Sequence, residues 1–436
     1  MTGSECPESA DPRLRELCVW LGTLASWRGG LVGRLVEEYG SIGAVLARPL
    51  PELRAFLRPR RRPAEARRSG ETRPPGTPLG PAAGEGPADA GADDDHAEQA
   101  EESRAFGEVL AATPASCTAT APAPGRLEVA WSDALYPPAL RRLVDPPFCL
   151  FVAARASDAV IAGRLEVLAG ALSVAVVGTR GPSPYGAEMA ALLGRDLVLR
   201  GIVVVSGLAL GVDAFAQGSA LRAGAGAGLP TVAVLGSGAD VVYPRSNRRL
   251  YLGVLEQGLV VSEFAWGVPA RRWRFPARNR VMAGLTRAVV VVEGSARSGA
   301  RITAGFAEDV GSDVLAVPGE AGRKLTQAPH ALLRNGAALC ESADDVVRAV
   351  TGVKLDPELL AGDAGAEVVA RLLEARSDDG RLAAVLRALD GGLVTVDDVA
   401  AACGLLVPQA AALLTELEVE GLASLSGPGA YRLRRI

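Results

Sequence analysis

The 436-residue chain has little of what most enzymes use for chemistry. It carries two histidines, His96 and His330, and six cysteines (Cys6, Cys18, Cys117, Cys149, Cys340, Cys403) with no CxxC spacing. No zinc constellation follows from that set, and no resident metal or cofactor is expected. The cysteines read as small buried hydrophobes or free thiols of a reducing compartment. Lysine is nearly absent: Lys324 and Lys354 are the two present. Neither directly follows a glycine as a Walker A loop requires, which argues against P-loop ATP hydrolysis. No GxSxG elbow occurs, and aromatics make up 4% of the residues. The N-terminus shows no basic stretch leading into an apolar one, and no apolar run approaches the roughly 18 residues of a membrane span. The expected location is the cytoplasm, without membrane contact. A net charge of −4 excludes a uniformly basic coat, so any nucleic-acid contact has to come from a local patch.

What is present divides the chain into units, as its length predicts. Residues 12–59 read as an N-terminal helical module, with Leu14, Leu17, Leu31, Leu35, Val36 and Leu46 at roughly helical spacing. Gly29-Gly30 separates two short helices. Residues 60–125 are first arginine-rich, then Pro/Gly/Ala-rich with an acidic run from Glu85 to Glu108. This composition cannot bury a core and reads as a disordered linker. Residues 126–352 alternate compact β-branched runs (Val174–Val177, Ile202–Val205, Thr231–Leu235, Leu259–Val261, Ala288–Val292, Val314–Val317) with helix-length segments. The runs lack polar alternation, as strands covered by helices on both faces do, so the fold class is α/β with a Rossmann-like, doubly wound parallel sheet. A linker over 353–375 leads to residues 376–436, where three helices and a hairpin around Gly427-Pro428-Gly429 predict a winged helix.

Ligands of open α/β sheets bind beyond the carboxyl ends of the strands. The loops at those ends are Gly178-Thr179-Arg180, Ser206-Gly207-Leu208-Ala209, Gly236-Ser237-Gly238, Ser262-Glu263 and Glu293-Gly294-Ser295, the last followed by Ser298-Gly299. Small residues there let backbone N–H groups and helix N-termini face an anion. Each glycine alone can be explained by a tight turn, but five such loops on one edge favour an anionic ligand. The dinucleotide fingerprint GxGxxG is not met. The stretch from Arg271 to Arg280 adds five arginines with Trp273 and Phe275 in ten residues. Arginine forks onto phosphate oxygens and aromatic faces stack unpaired bases, which points to single-stranded nucleic acid. The competing reading is a helix start whose arginines are solvated and whose aromatics fill a core. Asp213, Asp240, Glu263 and Glu293 could line the crevice, but without a metal or histidine they define no reaction and serve equally well as caps or arginine partners.

Gly178-Thr179-Arg180 with Tyr185-Gly186, Ser206 to Ala209 through Gly211 and Asp213, Tyr243-Pro244, Ser262-Glu263, Phe275-Pro276-Ala277-Arg278-Asn279-Arg280, Ser298-Gly299 with Ile302-Thr303-Ala304, and Ala316-Val317-Pro318-Gly319 occur in one order. In that order they resemble the DNA-processing protein A (DprA/Smf) family over about Leu135–Val350. The resemblance implies a non-enzymatic single-stranded DNA binder of natural transformation and recombination. Such a protein protects incoming DNA, helps load RecA onto it, and pairs as a homodimer through its Rossmann-like domain. It also implies an N-terminal SAM-like or helix-hairpin-helix module and a C-terminal winged helix. By motif position Arg180, Arg278 and Arg280 would contact phosphates and Ser206-Gly207 would offer backbone donors. Gly178, Asn279, Ser298 and Gly299 would line the site, and Trp273 or Phe275 would stack a base. The chain departs from the pattern at Leu210 (usually arginine), Gln217 (often histidine), Arg301 (usually leucine), Ala328-Pro329-His330 and Arg28-Gly29-Gly30. Two other readings stand beside this one. A related Rossmann-like nucleotide hydrolase would need PGGxGTxxE where Pro318 to Lys324 stands. A winged-helix transcription regulator would read DNA with Pro408–Glu420, which holds Glu416, Glu418 and Glu420 and no arginine.

Overall fold

In a computed structural model of the chain, the described residues are 12–27, 30–58, 92–112, 114, 124–224, 228–351, 385, 388–389, 394–419, 423–425 and 430–433. The 353–375 linker and the arginine-rich stretch beyond Arg58 lie outside them.

Each valine-rich run is a strand. The nine-stranded sheet consists of β1 (Arg126–Ala130), β2 (Cys149–Ala153), β3 (Ser173–Val177), β4 (Val203–Ser206), β5 (Thr231–Val234), β6 (Leu259–Ser262), β7 (Ala288–Val291), β8 (Asp313–Ala316) and β9 (Ala338–Leu339). Their order is β1-β2-β6-β5-β4-β3-β7-β8-β9. From β6 to β9 all neighbours are parallel, whereas β2 runs antiparallel to β6 and β1 antiparallel to β2. Strands β3 to β7 are buried along their whole length because helices cover both faces. One face packs on Arg274–Leu285 and Gly299–Asp309, the other on Pro184–Leu199 and Val212–Ala223. The chain winds one way from β3 through β6, then crosses back to place β7 beside β3. The switch point is therefore between β3 and β7, where the following loops diverge and leave a crevice.

The N-terminal module is made of four helices, Pro12–Trp27, Leu31–Tyr39, Ile42–Leu46 and Leu50–Leu57. Its core is not self-contained. Phe106, Ala130 and Phe148 complete the cluster around Trp20, Leu24, Leu35 and Leu53. Arg15 donates to Glu128 O at 2.8 Å and pairs with Asp133 at 3.3 Å, which locks the first helix to the β1 edge.

The expectation of a disordered linker over 60–125 is corrected within its acidic part. Ala92–Ala111 is a helix. Phe106 is buried, Trp20 Nε1 donates to Val109 O at 2.9 Å, and Arg54 donates to Ala112 O at 2.6 Å. Composition misled because a helix needs few apolar residues when a preformed apolar surface receives them. The acidic residues also find a cation. Glu102 Oε1 accepts from Arg274 Nη2 at 3.0 Å and from Trp273 Nε1 at 3.3 Å.

The C-terminal unit is a winged helix. Val394–Thr395, Ala423–Leu425 and Ala430–Leu433 form a small sheet beside the helices Val396–Cys403 and Val407–Val419. Thr395 and Asp398 close a capping box at the start of the first helix. Among the described residues no single helix is long and apolar enough to cross a membrane, and no group of His, Cys, Asp or Glu could hold a metal ion.

The acidic helix should depend on one carboxylate. Glu102→Ala removes an anionic acceptor from the buried Arg274 and should lower the unfolding free energy by about 2 kcal/mol. Urea denaturation followed by tryptophan fluorescence reads this, and an unchanged midpoint would show that Glu102 does not hold the helix in place.

Candidate nucleic-acid interface

The segment from Arg271 to Leu285 decides which arginines can meet a ligand. Residues Arg274–Leu285 form a helix against the sheet, and Arg274, Arg278 and Arg280 are all buried on it. Arg274 is completely enclosed. Its guanidinium lies 4.9 Å from the Trp273 ring centroid and 5.6 Å from those of Trp27 and Phe264, and donates to Ser26 O, Pro269 O and Glu102. It is a structural junction between the N-terminal module, the acidic helix and the α/β core.

Arg280 is also structural, against the expectation that it contacts phosphate. Its Nη2 is 2.6 Å from Glu263 Oε2 and its Nε 3.1 Å from Asp145 Oδ2. Burial works against its charge, but Glu263 and Asp145 outweigh it and raise its pKa. Burial likewise raises the Glu263 carboxyl despite the neighbouring guanidinium. This guanidinium is buried, is held by two carboxylates and does not line the crevice, so it is not placed to meet a phosphate.

Arg278 lies at the floor of the crevice. Its Nη1 donates to Val234 O and its Nε to Asn279 Oδ1 at 3.1 Å. Gly207 is required here, since a Cβ would collide with this guanidinium. Burial lowers its pKa to about 10, with Asp213 opposing and Arg180 reinforcing that fall. At neutral pH it remains a cation.

Arg180 stands on the loop after β3, exposed, with its guanidinium 5.5 Å from the Phe275 ring centroid. Tyr243 approaches the same ring at 5.4 Å, so Phe275 has a cation and a second aromatic as neighbours. Two concavities share Arg180, Ala209, Phe275 and Arg278. The larger, about 400 Å³, opens at the β3/β7 switch point and is lined by Gly178, Asn279, Ser298, Gly299, Ile302 and Thr303, among others. Ser298 caps the helix Gly299–Asp309, whose N-terminus therefore faces the crevice. The smaller, about 100 Å³, is walled by Leu210, Leu235, Tyr243 and Pro244. Two cations thus converge at one crevice, close enough that Arg180 disfavours the charge on Arg278. An anion between them would relieve that repulsion.

Other expectations are corrected by burial. Ser206 is fully buried and its hydroxyl donates to Val176 O at 2.7 Å. The Gly207 and Ala209 amides donate to Asp213 Oδ2 at 3.0 and 3.4 Å, and the Leu208 amide to Gln217 Oε1 at 3.1 Å. These amides therefore point into the protein and offer no backbone phosphate site. They hold a strained turn, since Leu208 adopts a φ of 55° that is uncommon without glycine. Gln217 is buried behind this turn, so its departure from the family pattern removes no direct contact. Leu210, by contrast, is 42% exposed in the smaller pocket, where an arginine would have added charge. Trp273 packs edge-on against Phe264 and bonds Glu102, so of the two aromatics expected at the site Phe275 is the one that lines the crevice. The Arg301 guanidinium is folded back on Ala296 O at 2.8 Å, and His330 Nε2 lies 3.1 Å from Gly319 O.

The four crevice carboxylates are each engaged. Asp240 accepts from Gly267 N and pairs with Arg126, and both Glu293 oxygens accept from Ser183, at 2.8 Å from its amide and 2.6 Å from its hydroxyl. Burial raises the Asp213 carboxyl, offset by Arg278 and by the amides it accepts from. Sequence reading overlooked the turn after Pro244, where Arg245, Arg248 and Arg249 stand exposed. Three arginines in five residues was the available signal.

A family model described as DNA recombination-mediator protein A matches residues 128–351, and one described as DprA winged helix domain matches residues 370–427. Protein Smf of Escherichia coli (strain K12) is 35% identical over 303 residues, 69% of this chain and 75% of that protein. Protein Smf of Synechocystis is 32% identical over 324 residues, 70% of this chain and 79% of that protein. The X-ray structure of DNA processing protein A from Streptococcus pneumoniae superposes with a TM-score of 0.55 at 28% identity, covering 78% of this chain and 98% of that one.

The division between structural and ligand-facing arginines is measurable. Arg280→Ala strands Glu263 in the interior and should lower the unfolding free energy by about 3 kcal/mol. Arg180→Ala should change it by less than about 0.5 kcal/mol. Equal effects of the two in urea denaturation would overturn the division.

Proposed function

Because the chain belongs to the DNA recombination-mediator protein A family, we propose that it binds single-stranded DNA in the crevice at the β3/β7 switch point. The observation that carries this reading is the Arg180–Phe275 arrangement. An exposed guanidinium free of carboxylate partners lies over a half-buried aromatic ring at the mouth of a cleft with a second arginine, Arg278, at its floor. Arg180 supplies the phosphate fork, Arg278 a fixed positive field, and Phe275 the face on which a base stacks. The Ser298-capped helix end adds partial positive charge to the same site.

The role follows from this binding: a non-enzymatic protein of recombination and natural transformation that shields incoming strands and helps load RecA, working in the cytoplasm as a homodimer paired through its α/β domain. The engagement of Asp213, Asp240, Glu263 and Glu293 with backbone and arginine supports a binding role, since none is left as an unengaged acid or base. The winged helix reads as a protein-contact unit, because the helix Val407–Val419 carries Glu416 and Glu418 and no arginine to face a major groove.

Binding to oligo-dT, followed by fluorescence anisotropy at several salt concentrations, separates the two contributions. Arg180→Ala should weaken binding and reduce the logarithmic salt slope by about 0.7, the value for one phosphate contact on a single strand. Phe275→Ala should weaken binding by about 1–3 kcal/mol with the slope unchanged. If both variants bind like the wild type, the cleft is not the DNA site. Stimulation of RecA filament assembly on single-stranded DNA tests the loading role, which falls if assembly is the same with and without the protein.

A further inference from the structure

A further concavity lies beyond Tyr243 and Pro244 along the chain. These residues wall the smaller pocket, and the residues that follow, Ser246 and Asn247, line a third concavity of about 880 Å³. It is a groove between the helices Val212–Ala223 and Arg248–Gln257. The helices close on each other where Gly253 meets the Leu221 side chain, which makes an apolar floor. Arg222 and Arg249 line the groove, Arg248 adjoins it on the same helix turn, and all three are exposed. Among the described residues none of the three is in an ion pair. The one carboxylate along the groove, Glu256, is answered by Arg155 at 3.0 Å. Asn247 ties the groove to the cleft, since its amide donates to Leu208 O at 2.9 Å and Ala209 O at 3.1 Å, in the loop that leads to Leu210.

In a chain of net charge −4, where Arg274 and Arg280 are spent in the interior, a group of exposed arginines without ion pairs among the described residues is a local departure. Three cations along a groove with an apolar floor suit a flexible polyanion with apolar faces. Asn247 links the groove to a site charged in the same sense. We infer that the groove between these two helices is a second segment of the DNA path, in which Arg222, Arg248 and Arg249 hold the phosphates of the strand that leaves the Arg180–Phe275 cleft. This rests on the proposed DNA role of the cleft. It predicts a binding site longer than the cleft alone, with the extra length held by charge and therefore sensitive to salt.

Oligonucleotide length separates the two segments. A dT strand of about 6 nucleotides fills the cleft, whereas one of about 30 also reaches the groove. In the full chain, the triple variant Arg222→Ala/Arg248→Ala/Arg249→Ala should bind the short strand within about twofold of wild type. On the long strand its salt slope should fall by about 2. Between about 50 and about 200 mM salt it should then lose about 20-fold less affinity than the wild type. The corresponding triple lysine variant keeps the charge and should restore the wild-type slope, which a merely structural role of these residues would not require. If the triple alanine variant binds the long strand with wild-type affinity and slope while Arg180→Ala loses both strands, the groove carries no DNA and the cleft reading stands. If Arg180→Ala binds both strands like the wild type, the cleft reading falls and the path that continues from it falls too.

Discussion

A guanidinium taken out of water must be given acceptors, and the site is organised around that requirement. The helix Arg274–Leu285 carries three buried arginines, and the acceptors come from separate parts of the chain. Arg274 draws Glu102 from the acidic helix and Ser26 from the N-terminal module. Arg278 draws Val234 at the end of β5 and faces Asp213. Arg280 draws Glu263 from the end of β6 and Asp145 from the segment before β2. Removing a charged acceptor from a buried guanidinium is far more costly than losing a surface ion pair. The three pairings therefore fix the position of the helix, and with it the place of Phe275 at its first turn.

Fixing that turn also fixes Phe275 beside Arg180. The Arg180 loop is held from behind: the Thr179 amide donates to Glu293 O, and the Val212 amide to Thr179 O. Glu293 in turn binds Ser183 at the start of the next helix. Gly186 accommodates that carboxylate, since a Cβ there would collide with it. The loop is thus rigid while the side chain of Arg180 stays exposed. Preorganisation of this kind limits the entropy lost when a ligand is bound.

Much of this was legible in the sequence, and what was not has a common cause. Runs such as Val174–Val177 and Ala288–Val292 announced buried parallel strands, because burial on both faces leaves a continuous apolar signature. The two antiparallel strands Arg126–Ala130 and Cys149–Ala153 were not announced. Glu128 interrupts the first, and it is buried only because Trp266 donates to it. The motif Phe275 to Arg280 drew attention to the helix that borders the crevice but could not divide its arginines, since residue type does not report solvation. Arg278 and Arg280 are two residues apart on a helix and so face different directions, one toward the crevice and one toward Glu263 and Asp145. The same limitation concealed the helix Ala92–Ala111, whose acidity reads as disorder until Arg274 is known to be waiting for Glu102. Sequence also misread the loop Ser206 to Ala209. Its amides were expected to face an anion from outside, yet the anion they face is Asp213, supplied by the protein itself.

The departures from the family pattern have unequal weight, and burial again sets it. Gln217 lies behind the Leu208 turn and bonds Thr231 and Val232 as well as the Leu208 amide, so its role is to brace the loop. Leu210 lies in the open pocket with Tyr243, Pro244 and Phe275. A leucine there removes a charge and extends an apolar wall. On the proposed DNA role, the balance at the cleft shifts toward stacking. One phosphate contact contributes a slope of about 0.7, whereas each stacked base contributes about 1–3 kcal/mol that salt does not screen. Charge that the cleft lacks at Leu210 is available a short way along the surface, at Arg245, Arg248 and Arg249. A chain that holds a strand by its bases at one point and by its phosphates at another separates two tasks. On the proposed DNA path, the cleft sets where a single strand is gripped, and the arginines beyond it set how strongly that grip responds to the ionic surroundings.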